Sequence, residues 1–406
     1  MSSITLSARR AAAITATLGL LSLFPPLATD MYLAALGDLA TSMNASHAAA
    51  EFSLSIFFLG LCLGQLLLGP LTDTYGRKVP LLIGTALFTV TSIALPLVND
   101  IHWFNGLRFV QAIGASAGMV VGRAIVKDLY DGRRAAQVMT VLVMLLTIGP
   151  IVSPTLGGLL LDAFGWRSIF VTMAIISVVA FALSTVILPE TLPAASRTPR
   201  PFVTGWRAAS MLLSQRKFVI MALVSGFVQG GMFAFITGSS GVFQGIFGLS
   251  ALQFGGMFAA IAAALIIFGK VNGALLNRYG PEQIVTAGLP MFVGATLVLA
   301  LVSGTNTLWV FVVPLWLSIG LVGLLSANAM SITMELADKG AGMGSALLGA
   351  IQFAIAFSVS SCVALVGNDT ALPMSFGLFV PAGIAAILYF GCGGRARSTA
   401  LGNEMA

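Results

Sequence analysis

Two charged residues lie where charge is expensive. Asp30 sits in LSLFPPLATDMYLAAL (residues 21–36), a run otherwise apolar or weakly polar, and Arg108 sits in LRFVQAIGASAG (107–118), inside a second such run. A charged group in an apolar segment is costly unless it is paired, hydrated or able to lose its charge. A carboxyl can lose it by binding a proton, whereas a guanidinium cannot. Asp30 lies eight residues before Asp38, and Arg108 eight residues after Asp100. If those two acids mark the same edge of a bilayer, Asp30 and Arg108 are level and can meet if their helices are neighbours. Burial and a nearby cation pull a carboxyl's proton affinity in opposite senses, which suits a group that must change charge. Arg108 has a blander reading, in which it snorkels to the interface near His102. Pro25 and Pro26 predict a bend just below Asp30.

The elements that must position these residues follow from composition. The chain has 406 residues, of which 58% are hydrophobic and 8% charged, with a mean hydropathy of +0.99. Soluble domains carry roughly a quarter charged residues, so the solvent of this chain is largely lipid. A spanning helix needs about 20 apolar residues. Runs of that kind predict spans at 11–36, 52–72, 79–99, 102–126, 135–161 and 168–188. Two more fall in 218–269, broken at the Gly- and Ser-rich 238–250, and two in 283–334, broken at 303–307. The last pair are 340–366 and 370–392, giving twelve. With the N-terminus inside, all of the 20 Lys and Arg except Arg108 and Arg167 fall in or next to cytoplasmic loops, which is the positive-inside asymmetry of a multi-pass membrane protein with both termini cytoplasmic. The net charge of +6 therefore belongs to membrane loops, and with no basic face or recognised module a nucleic-acid partner is not expected. Arg9 and Arg10 ahead of a long apolar run resemble the start of a signal peptide, but the run reads as an uncleaved first span.

The Pro- and Arg-rich stretch 189–217 divides the chain into a six-span half at 1–188 and another at 218–406. An internal repeat supports the division, since GPLTDTYG (69–76) after span two is echoed by GALLNRYG (273–280) after span eight. Two similar six-helix halves form a known transporter plan, with the site near the midplane. Catalytic and metal chemistry find no support. Cys62, Cys362 and Cys392 are far apart, His47 and His102 have no matching ligands, and no Ser/His/Asp set or phosphate-cradling G-x-x-x-x-G-K-[ST] loop occurs. No enzyme activity, metal or cofactor is expected.

Further motifs add detail. In GPLTDTYGRK (69–78), Gly69 permits close helix approach, Gly76 suits a tight turn, Asp73 can cap the next element or pair with a cation, and Arg77 and Lys78 hold the loop in the cytoplasm. The plain alternative is a polar turn with positive-inside charges. In TIGPIVSPTLGG (147–158), Gly149, Ser153 and Gly157 share one helix face, while Pro150 and Pro154 bend the helix and Gly158 closes the run. Ordinary small-residue packing is the alternative there. Glu51 at the start of span two reads either as an outer-edge residue or as a second titratable group at a cavity mouth. Tyr32, Gln111, Gln229, Phe233 and Gln352 are candidate cavity residues.

These stretches resemble the major facilitator superfamily. GPLTDTYGRK is similar to its loop between helices two and three, LRFVQ to the helix-four R-x-x-Q motif of its drug-efflux branch, and the 147–158 run to the helix-five signature of its exporters. DMYL (30–33) after two prolines resembles the first helix of the bicyclomycin- and chloramphenicol-resistance branch. The resemblance covers nearly the whole chain. It implies an all-α integral membrane protein with twelve helices in two pseudo-symmetric six-helix bundles. It also implies a cytoplasmic gate in which Asp73 and Arg77 meet Asp128, weaker in the C-terminal copy. The function implied is proton-coupled efflux of small amphipathic drugs, such as phenicols or bicyclomycin-like compounds, across the bacterial inner membrane. Asp30 and Arg108 would couple the proton, and the protein would act as a monomer whose coupling ion is the proton. Phe- and Met-rich spans suit an adaptable amphipathic site. The alternatives are proton-coupled transport of a small metabolite in either direction, and a non-transporting receptor or enzyme.

Overall fold

The computed structural model describes residues 7–130, 132–198, 201–337, 341–367 and 370–393. Arg200, Lys339, Arg395 and Arg397, counted above among the loop cations, and the side chain of Arg133 lie outside the described residues. Among the described residues, twelve helical segments are long and apolar enough to cross a bilayer, the first of them Arg9–Ser42. That first span is not one helix. It consists of α1 (Ala8–Ser22), α2 (Phe24–Asp30), a short 3-10 turn at Leu33–Ala35 and α3 (Leu36–Ser42). Five spans follow as α4 (His47–Tyr75), α5 (Lys78–Ala94), α6 (Ile101–Leu129), α7 (Gly132–Phe164) and α8 (Arg167–Ile187). A helix outside the spans, α9 (Pro201–Ser214), precedes α10 (Arg216–Ser240), α11 (Ala251–Leu276), α12 (Pro281–Leu301), α13 (Leu308–Leu336), α14 (Ala341–Val366) and α15 (Leu372–Leu388).

The chain falls into two compact units, Met1–Trp206 with Ala251–Gly256, and Arg207–Ser250 with Met257–Ala406. The stretch 189–217, read above as a linker, is divided between them. Its first part is hydrogen-bonded to the loop before α5, and its second part is α9. Proline and arginine density hid that helix, because Pro201 sits at its start, where a missing N–H costs nothing.

Helix ends are set by ordinary chemistry. Asp100, treated above as a depth marker, is the N-cap of α6, accepting from the N–H groups of His102 (2.9 Å) and Trp103 (3.1 Å). Asp38 lies in the first turn of α3, which runs on to Ser42. α4 stops at Gly76, whose φ of +88° is strained for other residues. Its counterpart Gly280 has φ −73° and instead precedes α12, with Pro281 in the first turn. The two copies of the repeat therefore turn differently.

The break in the first span is held by α7. A Cβ on Gly149 would lie 2.8 Å from two side-chain atoms of Pro26, and a Cβ on Gly157 would overlap the carbonyl oxygen of Met31. Pro150 and Pro154 lie inside α7 between these contacts. Ser153, on the same face, is buried. Gly158 faces Ala251, in the short segment that clusters with the first unit. The small-residue face thus brings α7 directly onto the segment that carries Asp30.

Because the atom facing Gly157 is backbone, no rotamer change relieves the overlap. Gly157→Ala should destabilise the folded protein in detergent by about 1–3 kcal/mol through overpacking. Gly273→Ala, where nothing lies within 4 Å, should change stability by less than about 0.5 kcal/mol. Thermal unfolding of the two variants side by side checks this.

Candidate functional site

Arg108 is fully buried, which excludes the snorkelling alternative. Its guanidinium donates to the Gln111 side-chain oxygen (Nη1, 2.5 Å) and to the Ala28 carbonyl (Nη2, 2.7 Å). It also lies over the rings of Tyr32 (4.6 Å) and Phe57 (4.3 Å). Gln111 passes the network to α5, donating to Ser92 Oγ (2.8 Å), which donates to the Phe88 carbonyl (2.6 Å). The Tyr32 hydroxyl meets Ser53 Oγ at 2.7 Å, and Ser53 donates to the Ala50 carbonyl at 2.5 Å, so Tyr32 is the donor of that pair. Tyr32 and Gln111, candidates above for substrate contact, are fully buried and engaged in holding Arg108.

Asp30 is buried at the last residue of α2. Its carboxyl meets the Thr29 hydroxyl at 2.7 Å, and that hydroxyl also lies 3.0 Å from the Pro25 carbonyl. The expected ion pair with Arg108 is not formed in this structure. The level was right and the facing was not. Arg108 touches Ala28 and Tyr32, the residues two before and two after Asp30. Residues two apart on a helix point roughly 200° apart, so the face that meets Arg108 turns the Asp30 carboxyl away. The Nε–H of Arg108 is buried without a hydrogen-bond partner. Glu51 is fully buried within the protein, one turn inside α4, with its carboxylate 3.3 Å from His47 Nε2.

At one end of the same unit, the turn after α4 closes a charged cluster. Arg77 donates to Asp73 (Nη1, 2.5 Å), to Thr72 Oγ1 (Nη1, 3.3 Å) and to Asp128 (Nε, 3.0 Å). Burial opposes the charge on Arg77, but the two carboxylates outweigh it and push the guanidinium above its usual pKa. Gly69 accepts the Thr72 hydroxyl on its carbonyl at 2.8 Å. A residue unremarked in the sequence completes the cluster. Glu190 accepts from the backbone N–H of Arg77 (2.8 Å) and of Lys78 (3.2 Å), the start of α5. Burial opposes its charge, but the N–H groups of Leu192, Arg77 and Lys78 and the nearby Arg197 outweigh it and hold the carboxyl below its usual range. A Cβ at Gly76 would strike the Glu190 carboxylate. Thr191 donates to Asp128 (2.9 Å), and Thr198 bonds Asp73 and Thr74 through its backbone.

A profile of the Major Facilitator Superfamily matches residues 18–361. The chain belongs to that superfamily. Its relatives include a bicyclomycin resistance protein homolog of Haemophilus influenzae, 30% identical over 92% of this chain and 94% of the relative. A chloramphenicol resistance protein of Pseudomonas aeruginosa is 30% identical over 80% of this chain and 77% of the relative. In architecture the chain is similar to a crystal structure of a D-xylose-proton symporter, with a TM-score of 0.76 and 15% identity over 93% of this chain and 97% of that one. Twelve helical spans in a superfamily member make this a multi-pass membrane transporter.

In the second unit of this transporter the candidates Gln229 and Phe233 fall on one face of α10, and Gln352 meets that face from α14. Ser225, Gln229 and Phe233 follow at intervals of four. Gln352 donates to Ser225 Oγ (3.0 Å), Ser326 donates to Gln229 (2.8 Å), and Phe233 lies 5.9 Å from the Phe353 ring. Asn328 is buried and donates to Asn272 (2.7 Å). The superfamily loop motif is only half present here, as its second copy shows. Pro281 and Glu282 stand where the repeat places Arg77 and Lys78, and Arg278, which aligns with Thr74, makes no ion pair among the described residues.

Glu190 carried no motif signal. It sits 113 residues from its partner in a proline-rich stretch, and only the bare acid after a span end could have pointed to it. Arg77→Ala should cost about 1–3 kcal/mol of stability through lost charge-assisted bonds, and Glu190→Gln about 1 kcal/mol through a weakened helix-start contact. Because the folded pKa of Glu190 lies below its ordinary 4.5, its contribution is present above that value and lost as pH falls below it. The difference between wild type and Glu190→Gln should stay flat between about pH 6 and 8 and shrink in acid, as measured by unfolding across pH.

Proposed function

We propose that the chain exports small amphipathic compounds from the bacterial cytoplasm in exchange for protons, with Asp30 as the proton-carrying group. The observation that carries this reading is a buried carboxyl at a break in the first span, with no cation bonded to it among the described residues. The names of the resistance relatives support export of drug-like molecules, and phenicols or bicyclomycin-like compounds are the first substrates to try.

The chemistry rests on Thr29. A hydroxyl has one hydrogen to give and two lone pairs to accept with. When Asp30 is protonated, its O–H donates to Thr29 Oγ1, and Thr29 gives its own hydrogen to the Pro25 carbonyl. When Asp30 is ionised, Thr29 rotates its hydrogen onto the carboxylate. One hydroxyl thus serves both states without moving the backbone. The ionised state needs more than one hydrogen bond, and Arg108 holds an unused Nε–H next to the same segment. Turning the guanidinium from Ala28 toward Asp30 supplies the counter-charge and pulls on α2, α5 and α6 through Ala28, Gln111 and Ser92. A protonation event is thereby linked to the packing of three spans. Substrate binding in the opposite phase makes the exchange.

The drive is adequate, because one charge moved across 100 mV is worth roughly 2.3 kcal/mol. In this reading the proton is the only coupling species, the cluster of Asp73, Arg77 and Asp128 with Glu190 acts as a cytoplasmic gate, and a monomer suffices. The α10 face of Ser225, Gln229 and Phe233 offers uncharged polar and aromatic contacts suited to substrates of varied shape.

Expression in an efflux-deficient host, with a drug panel and a protonophore, tests the reading. Wild type should raise resistance to at least one amphipathic drug, and the protonophore should remove it. Asp30→Asn, inserted at wild-type levels, should give resistance no higher than the empty vector. Undiminished, protonophore-sensitive efflux by that variant would reject the assignment.

A further inference from the structure

The site makes no use of α9, although its surface is unusual for a helix beside a core. From Thr191 to Lys217 the chain carries Arg197, Arg200, Arg207, Arg216 and Lys217 and no acid. One face of α9 belongs to the protein. Ala209 and Leu212 are buried with Phe218, Ala222, Ala337, Leu347 and Leu348, at the ends of α10, α13 and α14. The rest of α9 leaves large apolar groups open, with Val203 52%, Trp206 74%, Met211 68% and Leu213 45% exposed. Trp206 and Leu213 lie one heptad apart and so share a face. Gln215 interrupts the chain in extended conformation (φ −82°, ψ 100°) before α10 begins at Arg216. α9 therefore does not prolong the spanning helix but packs on the ends of three spans. Arg207, Arg216 and Lys217 are exposed and make no ion pair among the described residues.

In water this would be an expensive surface. At a bilayer interface it is a favourable one, since tryptophan sits at headgroup level and basic side chains meet lipid phosphates. Each cation near an anionic leaflet strengthens attachment by roughly fivefold. We propose that α9 is an interfacial anchor that selects anionic phospholipid headgroups, with Trp206 inserted at headgroup depth and Arg207, Arg216 and Lys217 on the phosphates. The occupant is the lipid surface rather than a free anion, because the cations flank a large exposed apolar face that a free anion would leave in water. The inference does not depend on which substrate is carried or in which direction.

Full-length protein in phosphatidylcholine vesicles, doped with brominated phosphatidylglycerol or with brominated phosphatidylcholine, tests it by tryptophan quenching. The difference between wild type and Trp206→Phe isolates Trp206 from the other tryptophans. Trp206 should be quenched by both lipids, with a relative affinity roughly fivefold or more in favour of the anionic one. The combined variant Arg207→Gln, Arg216→Gln, Lys217→Gln should lose that preference while quenching by brominated phosphatidylcholine persists. A Trp206 signal that neither lipid quenches overturns the interfacial placement. Equal affinity for the two lipids in the wild type, or a preference that survives the triple variant, overturns headgroup selection.

Discussion

Arg108 cannot shed its charge, and it is completely enclosed among apolar spans. Its neighbourhood answers that constraint without a bonded carboxylate. A carbonyl from the first span, an amide from its own helix and two aromatic faces surround the guanidinium. Each is weak against a full charge, and together they fix its position. The aromatic rings come from α4 and from the turn after α2, the carbonyl from α2, and the relay onward reaches α5 through Gln111 and Ser92. Removing the charge would leave these elements without their common partner. The cage is built from uncharged groups, so the position of Arg108 does not depend on a bonded carboxylate.

The cage requires the first span to be broken where it is. A straight helix would present Ala28 and Tyr32 on one face but would keep the Ala28 carbonyl tied within its own ladder. The turn after Asp30 ends that ladder and leaves the Ala28 carbonyl to accept from Arg108, and the glycine face of α7 presses on Pro26 and Met31 to hold the segment in place. The turn supplies the irregularity and glycine supplies the close approach. The motif on helix five thereby acts through the first helix, on either side of the acid.

The meeting of Asp73 and Arg77 with Asp128 was expected from resemblance to the superfamily loop, because spacing alone leaves GPLTDTYGRK open to reading as a polar turn. The span count and the charge asymmetry were legible because each depends on type and spacing within short windows. The depth of Asp30 and Arg108 was legible for the same reason. Their relative facing was not, because rotation about a broken helix depends on φ and ψ at Met31 and Tyr32, which no residue type there dictates. Glu190 and α9 were missed because proline and arginine density reads as a linker. In this chain that density marks a strap whose acid caps α5, followed by a helix started by its own proline.

The two units also divide the chemistry unequally. The first holds the buried charges and the four-residue cluster at the turn after α4, while the second has uncharged amides, hydroxyls and rings along α10, and Pro281 and Glu282 where the repeat places Arg77 and Lys78. An uncharged face tolerates ligands of different shape, because no strong electrostatic contact demands one geometry, whereas a proton site demands a fixed one. Divergence of the repeat then has a physical sense. The first unit sets its titratable and cationic groups in a close packing of glycines and prolines. In the second, Gly280 takes an ordinary backbone conformation ahead of Pro281, and the polar groups along α10 are uncharged.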